Sequence, residues 1–219
     1  MGLQHMLWNL VWTIRNSFAK HSEKSAVYSS IQRVVGAHKM YMDIVATHIV
    51  PNQQNHTHII DIGCGTADIV EYLPPTIQYI GLDNNNDYIN SAQKRYPHRH
   101  FYHIDVTQHN LQENIPPTHN LFLLIGVLHH LTDQEAKHLL STLHTHMKQG
   151  DMVLSVDGCR EQNISAVENF FYQVDRGKHI RCARDYVALF PTTDITWKIH
   201  KEWLRVPYRH VVCVLHKNM

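Results

Sequence analysis

The chain lacks the common sequence features of secreted, membrane-spanning and nucleic-acid-binding proteins. Its four cysteines lie far apart and form no CxxC pair, so neither a disulfide framework nor a zinc knuckle is predicted, and a cytoplasmic location is favoured. The formal net charge is only +1, which provides no strong positive field for collecting phosphates, and nucleic acid is not an expected partner. No apolar run approaches the roughly 20 residues that span a bilayer.

Metal-binding spacings are also lacking, although the chain contains 20 histidines. Some histidines are close neighbours, as His56 and His58 are, but no HExxH pair is present to place two imidazoles on one helix face. We therefore predict no metal site. Hydrophobic residues make up 43% of the chain, which is typical of a globular protein.

The N-terminal region has the apolar period of an amphipathic helix. Apolar side chains recur at i, i+3, i+4 and i+7, at Leu3, Met6, Leu7, Leu10, Val11, Ile14 and Phe18. A signal peptide is not indicated, because Arg15 and Lys20 follow the apolar region instead of preceding it. We expect this helix to pack on the domain, and contact with a membrane surface is the less favoured alternative.

From His58 onward, short apolar strands alternate with helix-length segments. Strands are predicted at 58–62, 77–82, 100–104, 121–127, 152–156, 195–200 and 208–215. Helices are predicted at 37–50, 67–73, 87–96 and 133–148, the last with Thr132 and Glu135 as a capping box. This alternation is typical of an α/β fold with a parallel sheet built from βαβ units.

A glycine turn follows the first of these strands. Asp61 ends the strand, and Gly63, Cys64 and Gly65 precede a helix. Glycines permit positive φ and let a ligand approach the backbone, although the same residues can simply make a turn. A GxGxxG motif for NAD would need a third glycine at position 68, where Asp68 would repel a pyrophosphate. A nucleoside ligand without a pyrophosphate is therefore favoured, with NAD as the alternative.

Acidic residues end the next two strands. Asp83, followed by Asn84, lies about 20 residues after the glycine turn, where a carboxylate accepts hydrogen bonds from ribose hydroxyls. Asp105 and Val106 follow the third strand and suit an adenine, with the carboxylate toward the exocyclic amine and the valine against the ring. Each acid could instead cap its own turn. Ligands of open α/β sheets bind at this carboxyl edge of the strands.

Four runs of sequence resemble the motifs of class I S-adenosylmethionine-dependent methyltransferases. DIGCGTAD is similar to motif I, [DE]xGxGxG, with Ala67 in place of the last glycine. GLDNNNDYI resembles the ribose-binding strand end, HIDVTQ the adenine-binding one, and LFLLIGVLHHLTD, which contains Gly126, the fourth strand beside the transferred methyl group. The resemblance implies S-adenosylmethionine as cofactor and a three-layer αβα, Rossmann-like sheet of seven strands, mostly parallel with the last strand antiparallel.

The fourth strand ends in GVLHHL, which resembles the small-molecule branch of the family and differs from the [DN]PP[FYW] of nucleic-acid amino methyltransferases. His129 and His130 are candidate bases because imidazole titrates near neutral pH, and Asp157, at the end of the fifth strand, is a third candidate. Each could instead have a packing or capping role. A base is required only if the acceptor must lose a proton, since orientation supplies much of the rate.

The long segment after the fifth strand is the candidate acceptor site. It contains Tyr172, Arg176 and His179, an aromatic residue and cations that could bind an acceptor bearing carboxylate or phosphate. A solvated charged loop is the alternative. By position, Lys39 or His38 is a candidate for contact with the cofactor's carboxylate.

We expect one domain over 1–219, with N-terminal helices (1–55), a cofactor-binding core (56–157), an insertion over the substrate site (158–191) and C-terminal strands (192–219). The predicted function is S-adenosylmethionine-dependent methyl transfer to a small molecule. A non-catalytic subunit that binds the cofactor, or an NAD-dependent oxidoreductase, is the alternative. Neither the acceptor nor the oligomeric state follows from the sequence.

Overall fold

The computed structural model of the protein describes residues 36–55, 58–107, 115–175 and 177–217. The predicted N-terminal amphipathic helix and the candidate residue Arg176 lie outside the described residues. The predicted strands are all present, with bounds that differ from the predictions by at most two residues. They are β1 (His58–Ile62), β2 (Gln78–Asp83), β3 (His100–His103), β4 (Asn120–Ile125), β5 (Met152–Gly158), β6 (Ile195–His200) and β7 (His210–His216).

The seven strands form one sheet in the order β3-β2-β1-β4-β5-β7-β6. Strands β1 to β5 pair in parallel, and β7 is antiparallel to both of its neighbours. This arrangement confirms the predicted seven-stranded sheet with an antiparallel last strand. The chain leaves β1 toward β2 on one side and returns to β4 on the other, so the strand order reverses between β1 and β4. Such a reversal opens a crevice at the carboxyl edge of the sheet.

The helices are α1 (Ala37–Ile44), α2 (Asn86–Arg95), α3 (Asp133–His146), α4 (Ala166–Val174) and α5 (Ala183–Val187). The predicted helix over 37–50 is α-helical only in its first part, and it continues as a π-helical turn (Val45–Ile49) and a 3₁₀ turn (Val50–Asn52). Helix α3 begins with the predicted capping box, in which the Thr132 hydroxyl accepts from Glu135 N–H and Glu135 accepts from Thr132 N–H.

Apolar side chains cover both faces of the sheet, which makes three layers. The central strands β1, β4 and β5 are buried almost throughout, as expected for parallel strands covered on both sides. One core packs α1 and α2 on the sheet through residues such as Ile44, Ile89 and Trp203. The other packs α3 and α5 on the opposite face through residues such as Leu139 and Tyr186. No helix in the described part of the chain is long and apolar enough to cross a membrane.

Candidate active site

The glycine turn after β1 is a left-handed loop. Gly63 has φ 71°, Gly65 has φ 55° and Ala67 has φ 56°. Ala67 therefore adopts the left-handed conformation at the position where the family motif has its last glycine, at a backbone cost of about 1 kcal/mol. The predicted helix over 67–73 is instead a 3₁₀ turn, Asp68–Tyr72, because the chain starts it from this left-handed residue.

Gly63 lies where two strand ends approach each other closely. A Cβ at this position would lie 2.7 Å from Cγ2 of Val127, which follows β4. At Gly65 a Cβ would meet nothing within 4 Å, so that glycine is required by its φ alone. The backbone N–H groups of Gly63 and Cys64 both donate to the Leu82 carbonyl of β2. The loop is thus hydrogen-bonded to β2 and lies close to the end of β4.

Asp61 is a buried carboxylate with one unsatisfied oxygen. Its Oδ2 accepts from the Tyr79 hydroxyl at 2.5 Å, and its Oδ1 has no partner among the described residues. Burial raises the pKa of Asp61 to about 7, the charge of Asp83 adds to that rise, and the hydrogen bond from Tyr79 opposes it. A buried oxygen without a partner is unfavourable. It suits a ligand that brings a donor or a positive charge to this position.

Asp83 connects the end of β2 to the glycine loop. Its Oδ2 accepts from Gly65 N–H and its Oδ1 from Asn85 N–H, both at 2.8 Å. Burial raises its pKa, and these two backbone donors partly counter the rise. A carboxylate has about four lone-pair sites, so these bonds still allow Asp83 to accept from a ligand. The predicted neighbour Asn84 is exposed, and its carbonyl lies 3.0 Å from His103 Nε2.

Asp105 and Val106 follow β3 at the same edge of the sheet. Asp105 Oδ1 accepts from the backbone N–H and the hydroxyl of Thr107, at 3.0 and 2.6 Å. Asp105 Oδ1 therefore caps its own turn, which was the alternative interpretation of this acid in the sequence. Val106 is half-buried against the core below α3. Both residues thus lie on the predicted edge, beside the end of β2.

A pocket joins the loop to helix α1. It is lined by Tyr41, Asp61, Gly63, Cys64, Gly65, Thr66, Asp68, Ile69 and Ile125. The Cys64 thiol is a neutral part of this wall, because burial, together with the charges of Asp61 and Asp83, raises its pKa well above the ordinary value. The pocket therefore combines an unsatisfied carboxylate oxygen with the glycine loop.

Asp68 is paired with Arg95, whose guanidinium also donates to the Thr66 carbonyl. The ion pair compensates the charge of Asp68, so repulsion of a pyrophosphate is weaker than the sequence suggested. The shape of the turn gives a stronger argument against NAD. A dinucleotide pyrophosphate binds at the N-terminus of a helix, and a five-residue 3₁₀ turn follows the loop here.

Lys39 and His38 both have protein partners. The Lys39 ammonium donates to the Glu202 carbonyl at 2.9 Å, and His38 Nδ1 lies 2.8 Å from the Tyr72 hydroxyl. Lys39 thereby connects α1 to the chain between β6 and β7. Neither contact was foreseen from the sequence.

A second polar cluster lies at the ends of β4 and β5. Gly126, with φ 69°, turns the chain out of β4. His129 is buried, its Nδ1 lies 2.9 Å from Asp157 Oδ1, and its backbone N–H donates to the same oxygen at 3.1 Å. Two of the three predicted catalytic residues are therefore bonded to each other. The third, His130, is exposed and its ring centroid lies 4.2 Å from that of His129.

The predicted acceptor residues have different surroundings. Tyr172 is buried, and its hydroxyl donates to the Cys159 carbonyl at 2.6 Å. The backbone N–H of His179 donates to the His129 carbonyl at 2.9 Å, and its side chain is half-buried. The hydroxyl of Tyr172 thus holds α4 to the end of β5.

Two functional groups in this region were missed by sequence reasoning. Asp175 lies with Oδ1 3.6 Å from His129 Nε2, and its Oδ2 accepts from the Tyr208 hydroxyl at 2.6 Å. Arg181 donates to the carbonyls of Leu128 and Leu131, at 2.8 and 2.7 Å, and pairs with Asp133. These partners are distant in sequence, so no local pattern indicated them. The only signal was the clustering of charges in DRGKHIR.

The strand order and the left-handed glycine loop define a Rossmann-like α/β protein with a ligand site at the carboxyl edge. Residues 59–150 match the family model described as "Methyltransferase domain". These residues are similar to a methyltransferase domain, and the whole sheet has the Rossmann-like fold found in solved S-adenosylmethionine-dependent methyltransferases.

A curated relative is "Putative methyltransferase 235L" of Invertebrate iridescent virus 6, 25% identical over 123 residues, which are 55% of this chain and 44% of the viral protein. The plantazolicin methyltransferase BpumL is similar in structure, with a TM-score of 0.66 at 16% identity over 99% of this chain and 100% of BpumL. Human N-acetylserotonin methyltransferase has a TM-score of 0.59 at 15% identity, over 97% of this chain and 66% of the human chain. The chain thus spans less than half of the viral relative's length.

Proposed function

We propose that this chain transfers a methyl group from S-adenosylmethionine to a small-molecule acceptor. The observation that carries the proposal is the unsatisfied Asp61 Oδ1 beside the left-handed glycine loop. S-adenosylmethionine has an ammonium group and a sulfonium, and a buried carboxylate favours such cations. When bound, the cofactor supplies an electrophilic methyl group.

The cofactor's amino-acid portion is assigned to the pocket beside Asp61. Gly63, Cys64 and Gly65 form the wall that the ligand approaches, because the glycines present no side chain toward it. Asp83 is assigned to the ribose hydroxyls, since it ends β2 and is held in place by Gly65 N–H. Asp61 and Asp83 can each accept further hydrogen bonds from a ligand in addition to those from their present partners.

The adenine is assigned to the end of β3. Asp105 lies next in order along the edge of the sheet, and Val106 offers an apolar contact for the ring face. Asn84, which is exposed beside Asp83, is assigned to the rim of the same site. Gly126 lies across the β1 to β4 crevice, where the methyl group would be presented to the acceptor.

The acceptor is assigned to the space covered by the insertion (158–191). N-acetylserotonin methyltransferase and Mitomycin 7-O-methyltransferase have this fold, and their names specify small acceptors. Orientation of the acceptor supplies the rate, with His130 the exposed candidate if a proton must be removed. Tyr172 is assigned a supporting role, while His179 and Arg176 stay candidates for acceptor binding.

Two broader assignments belong to the same proposal. We treat 1–219 as one domain with the divisions predicted from the sequence, because a segment before the core packs on one face of the sheet and the insertion after it packs on the other. The free cysteines support a reducing, cytoplasmic location.

Calorimetry with S-adenosylmethionine, S-adenosylhomocysteine and NADH tests the cofactor assignment. We expect heat of binding from the first two ligands and none from NADH. Asp83→Ala should abolish binding, whereas Asp87→Ala, an exposed acid in the first turn of α2, should bind as the unmodified protein does. NADH binding without S-adenosylhomocysteine binding would overturn the proposal.

Turnover separates an enzyme from a non-catalytic subunit. The protein is incubated with methyl-labelled S-adenosylmethionine and a library of metabolites, and formation of S-adenosylhomocysteine is followed. Acceptor-dependent turnover supports the methyltransferase. Cofactor binding in the absence of turnover, with all acceptors and with added cellular proteins, would favour the non-catalytic subunit.

A further inference from the structure

His129 lies between two carboxylates from different parts of the chain. Asp157, at the end of β5, is 2.9 Å from its Nδ1, and Asp175, just after α4, is 3.6 Å from its Nε2. Only 10% of the His129 side chain is exposed. Both ring nitrogens therefore face acids, and little of the ring is exposed to an acceptor molecule.

Residues of the insertion make close contacts with this imidazole. Gly177 lies against the ring, so that a side chain at this position would overlap its Cδ2. Gly177 N–H donates to Asp175 Oδ1 at 2.6 Å, and His179 N–H donates to the His129 carbonyl at 2.9 Å. Asp175 is thus paired with the ring of His129, and His179 is hydrogen-bonded to its backbone.

The other charged and titratable groups near His129 come from several elements. Arg181 of the insertion carries a positive charge, His130 is the adjacent residue, and Tyr208 and His210 approach from the region of β7. Burial lowers the pKa of His210 to about 4, with the nearby positive charge of His129 adding to that effect, so His210 is neutral at pH 7. His129 is therefore the histidine in this cluster whose positive charge is stabilised by both Asp157 and Asp175.

The balance of these effects sets the charge of His129. Burial disfavours its imidazolium, but the hydrogen bond and charge of Asp157, with the charge of Asp175, outweigh burial and raise the pKa above 6.5. The charge of Arg181 opposes this rise and does not cancel it. The raised value agrees with the geometry, in which both nitrogens face acceptors.

We propose that His129 is a positioning residue and that it does not take a proton from the acceptor. As an imidazolium, it holds the segment 175–181 at the end of β5. The ring donates from Nδ1 to Asp157 and is attracted through Nε2 to Asp175, which the Tyr208 hydroxyl orients. The attachment follows from the contacts alone. Its consequence for methyl transfer rests on the proposed function.

The two roles predict opposite pH dependences. A base must be neutral, so a rate that depends on it rises as the pH increases through its pKa. A positioning imidazolium stabilises the segment fully below pH 6.5, which is the pKa of His129 in the unfolded chain. This stabilisation is lost as the pH rises through the higher pKa of His129 in the folded protein. Deprotonation should therefore loosen 175–181 and slow a reaction that needs the insertion closed.

Hydrogen exchange of the full chain, corrected for the intrinsic rate at each pH, tests the attachment. We expect protection of the amides in 175–191 to fall by about tenfold or more from low to high pH, the size expected for loss of a charged hydrogen bond. Imidazole ¹³C shifts identify the His129 transition. His129→Gln should show low protection at every pH, and the control His138→Gln, at an exposed position of α3, should behave as the unmodified protein does.

Asp175→Asn provides a second variant that keeps Asp157 and His129 intact. It should lower the pKa of His129 and reduce protection of 175–191 more at low pH than at high pH, where only the hydrogen bonds of Asp175 to Gly177 and Tyr208 are affected. Protection that stays constant while His129 titrates, or a His129 that is already neutral at pH 6, would overturn the inference. S-adenosylhomocysteine binding is measured on the same samples, and its absence would count against the proposed function without affecting the attachment result.

Once an acceptor is identified, the pH profile of turnover supplies the final test. We expect kcat to fall or KM to rise as the His129 imidazolium loses its proton. His129→Gln should remove that pH dependence. A kcat that rises through the His129 transition, and loses the rise in His129→Gln, would assign His129 as the base instead.

Discussion

The cofactor edge and the insertion of this protein are built from contacts of different range. At the cofactor edge, Asp61, the glycine loop and Asp83 come from two consecutive strands and the turn between them. At the insertion, His129, Asp157, Asp175 and Tyr208 come from four separate parts of the chain. A local backbone motif can be recognised in sequence, whereas a long-range polar cluster exists only after folding.

The two regions also differ in how their polar atoms are satisfied. Asp61 lines a pocket, and its Oδ1 has no described hydrogen-bond partner. Both oxygens of Asp175 have close partners in Gly177 and Tyr208, and the Tyr172 hydroxyl donates to the Cys159 carbonyl. We therefore expect substitutions in the insertion to reduce stability, and substitutions at Asp61 to reduce cofactor binding.

The largest expected effect is on the insertion. Arg209 pairs with Glu168 of α4 through two contacts, Nε to Oε1 at 2.6 Å and Nη2 to Oε2 at 3.1 Å, and Glu168 is buried. Glu168→Ala should lower the free energy of unfolding by about 3 kcal/mol, because it leaves a largely buried guanidinium without its partner. Urea unfolding measures the change. Val167→Ala, at an exposed position in the same helix, should have little effect, and equal losses in both variants would contradict the ion-pair explanation.

The glycine loop offers a matched pair of substitutions with a smaller effect. Gly65→Ala should destabilise the protein by about 1 kcal/mol through its positive φ alone. Gly63→Ala should carry the same penalty and about 1 kcal/mol more, because its Cβ would lie 2.7 Å from Val127. Thermal unfolding compares the two. In a Val127→Ala background the difference should shrink, and a difference that persists there would show that Val127 is not its cause.

Asp61→Asn should separate binding from stability. Affinity for S-adenosylmethionine should fall by about tenfold or more, because the charge toward the cofactor is lost, and calorimetry measures it. In the unmodified protein the affinity should weaken as the pH falls below about 7, where Asp61 becomes protonated. In the variant that pH dependence should disappear.

The stability of Asp61→Asn, unlike its affinity for the cofactor, should not decrease. The pKa of Asp61 is raised from 3.8 to about 7, so between these values the folded protein binds more protons than the unfolded chain, and its stability falls as the pH rises. Asp61→Asn removes this penalty. Its Tm at pH 8 should equal or exceed that of the unmodified protein, and a large decrease would show that the Asp61 carboxylate is needed for folding.

Much of the sheet could be predicted because its strands are short apolar runs with clear boundaries. The bounds of β1 and β6 agree with the sequence prediction at both ends. The helix predicted over 67–73 was wrong in type, because Ala67 is left-handed and propensity gave no sign of it. The break of the first helix into α-helical and π-helical turns was likewise not indicated by its apolar period.

The candidate site shows the same division. The sequence placed Asp61, Gly63, Gly65 and Asp83 at one edge, and the structure brings these residues together. It named His129 and Asp157 separately and could not show that they contact each other, since they are 28 positions apart in the sequence. Asp175 and Tyr208 carried no local pattern that would have paired either of them with His129.

By itself, the sequence determined the fold class and the position of the glycine loop, because strand periodicity and glycine turns are properties of neighbouring residues. Only the tertiary structure decided which polar groups are satisfied and which are left for a ligand. Burial and hydrogen bonding depend on residues that meet through the sheet, and they leave Asp61 Oδ1 without a described partner while holding His129 between two acids. The same residue types therefore have different chemistry at the two ends of the site.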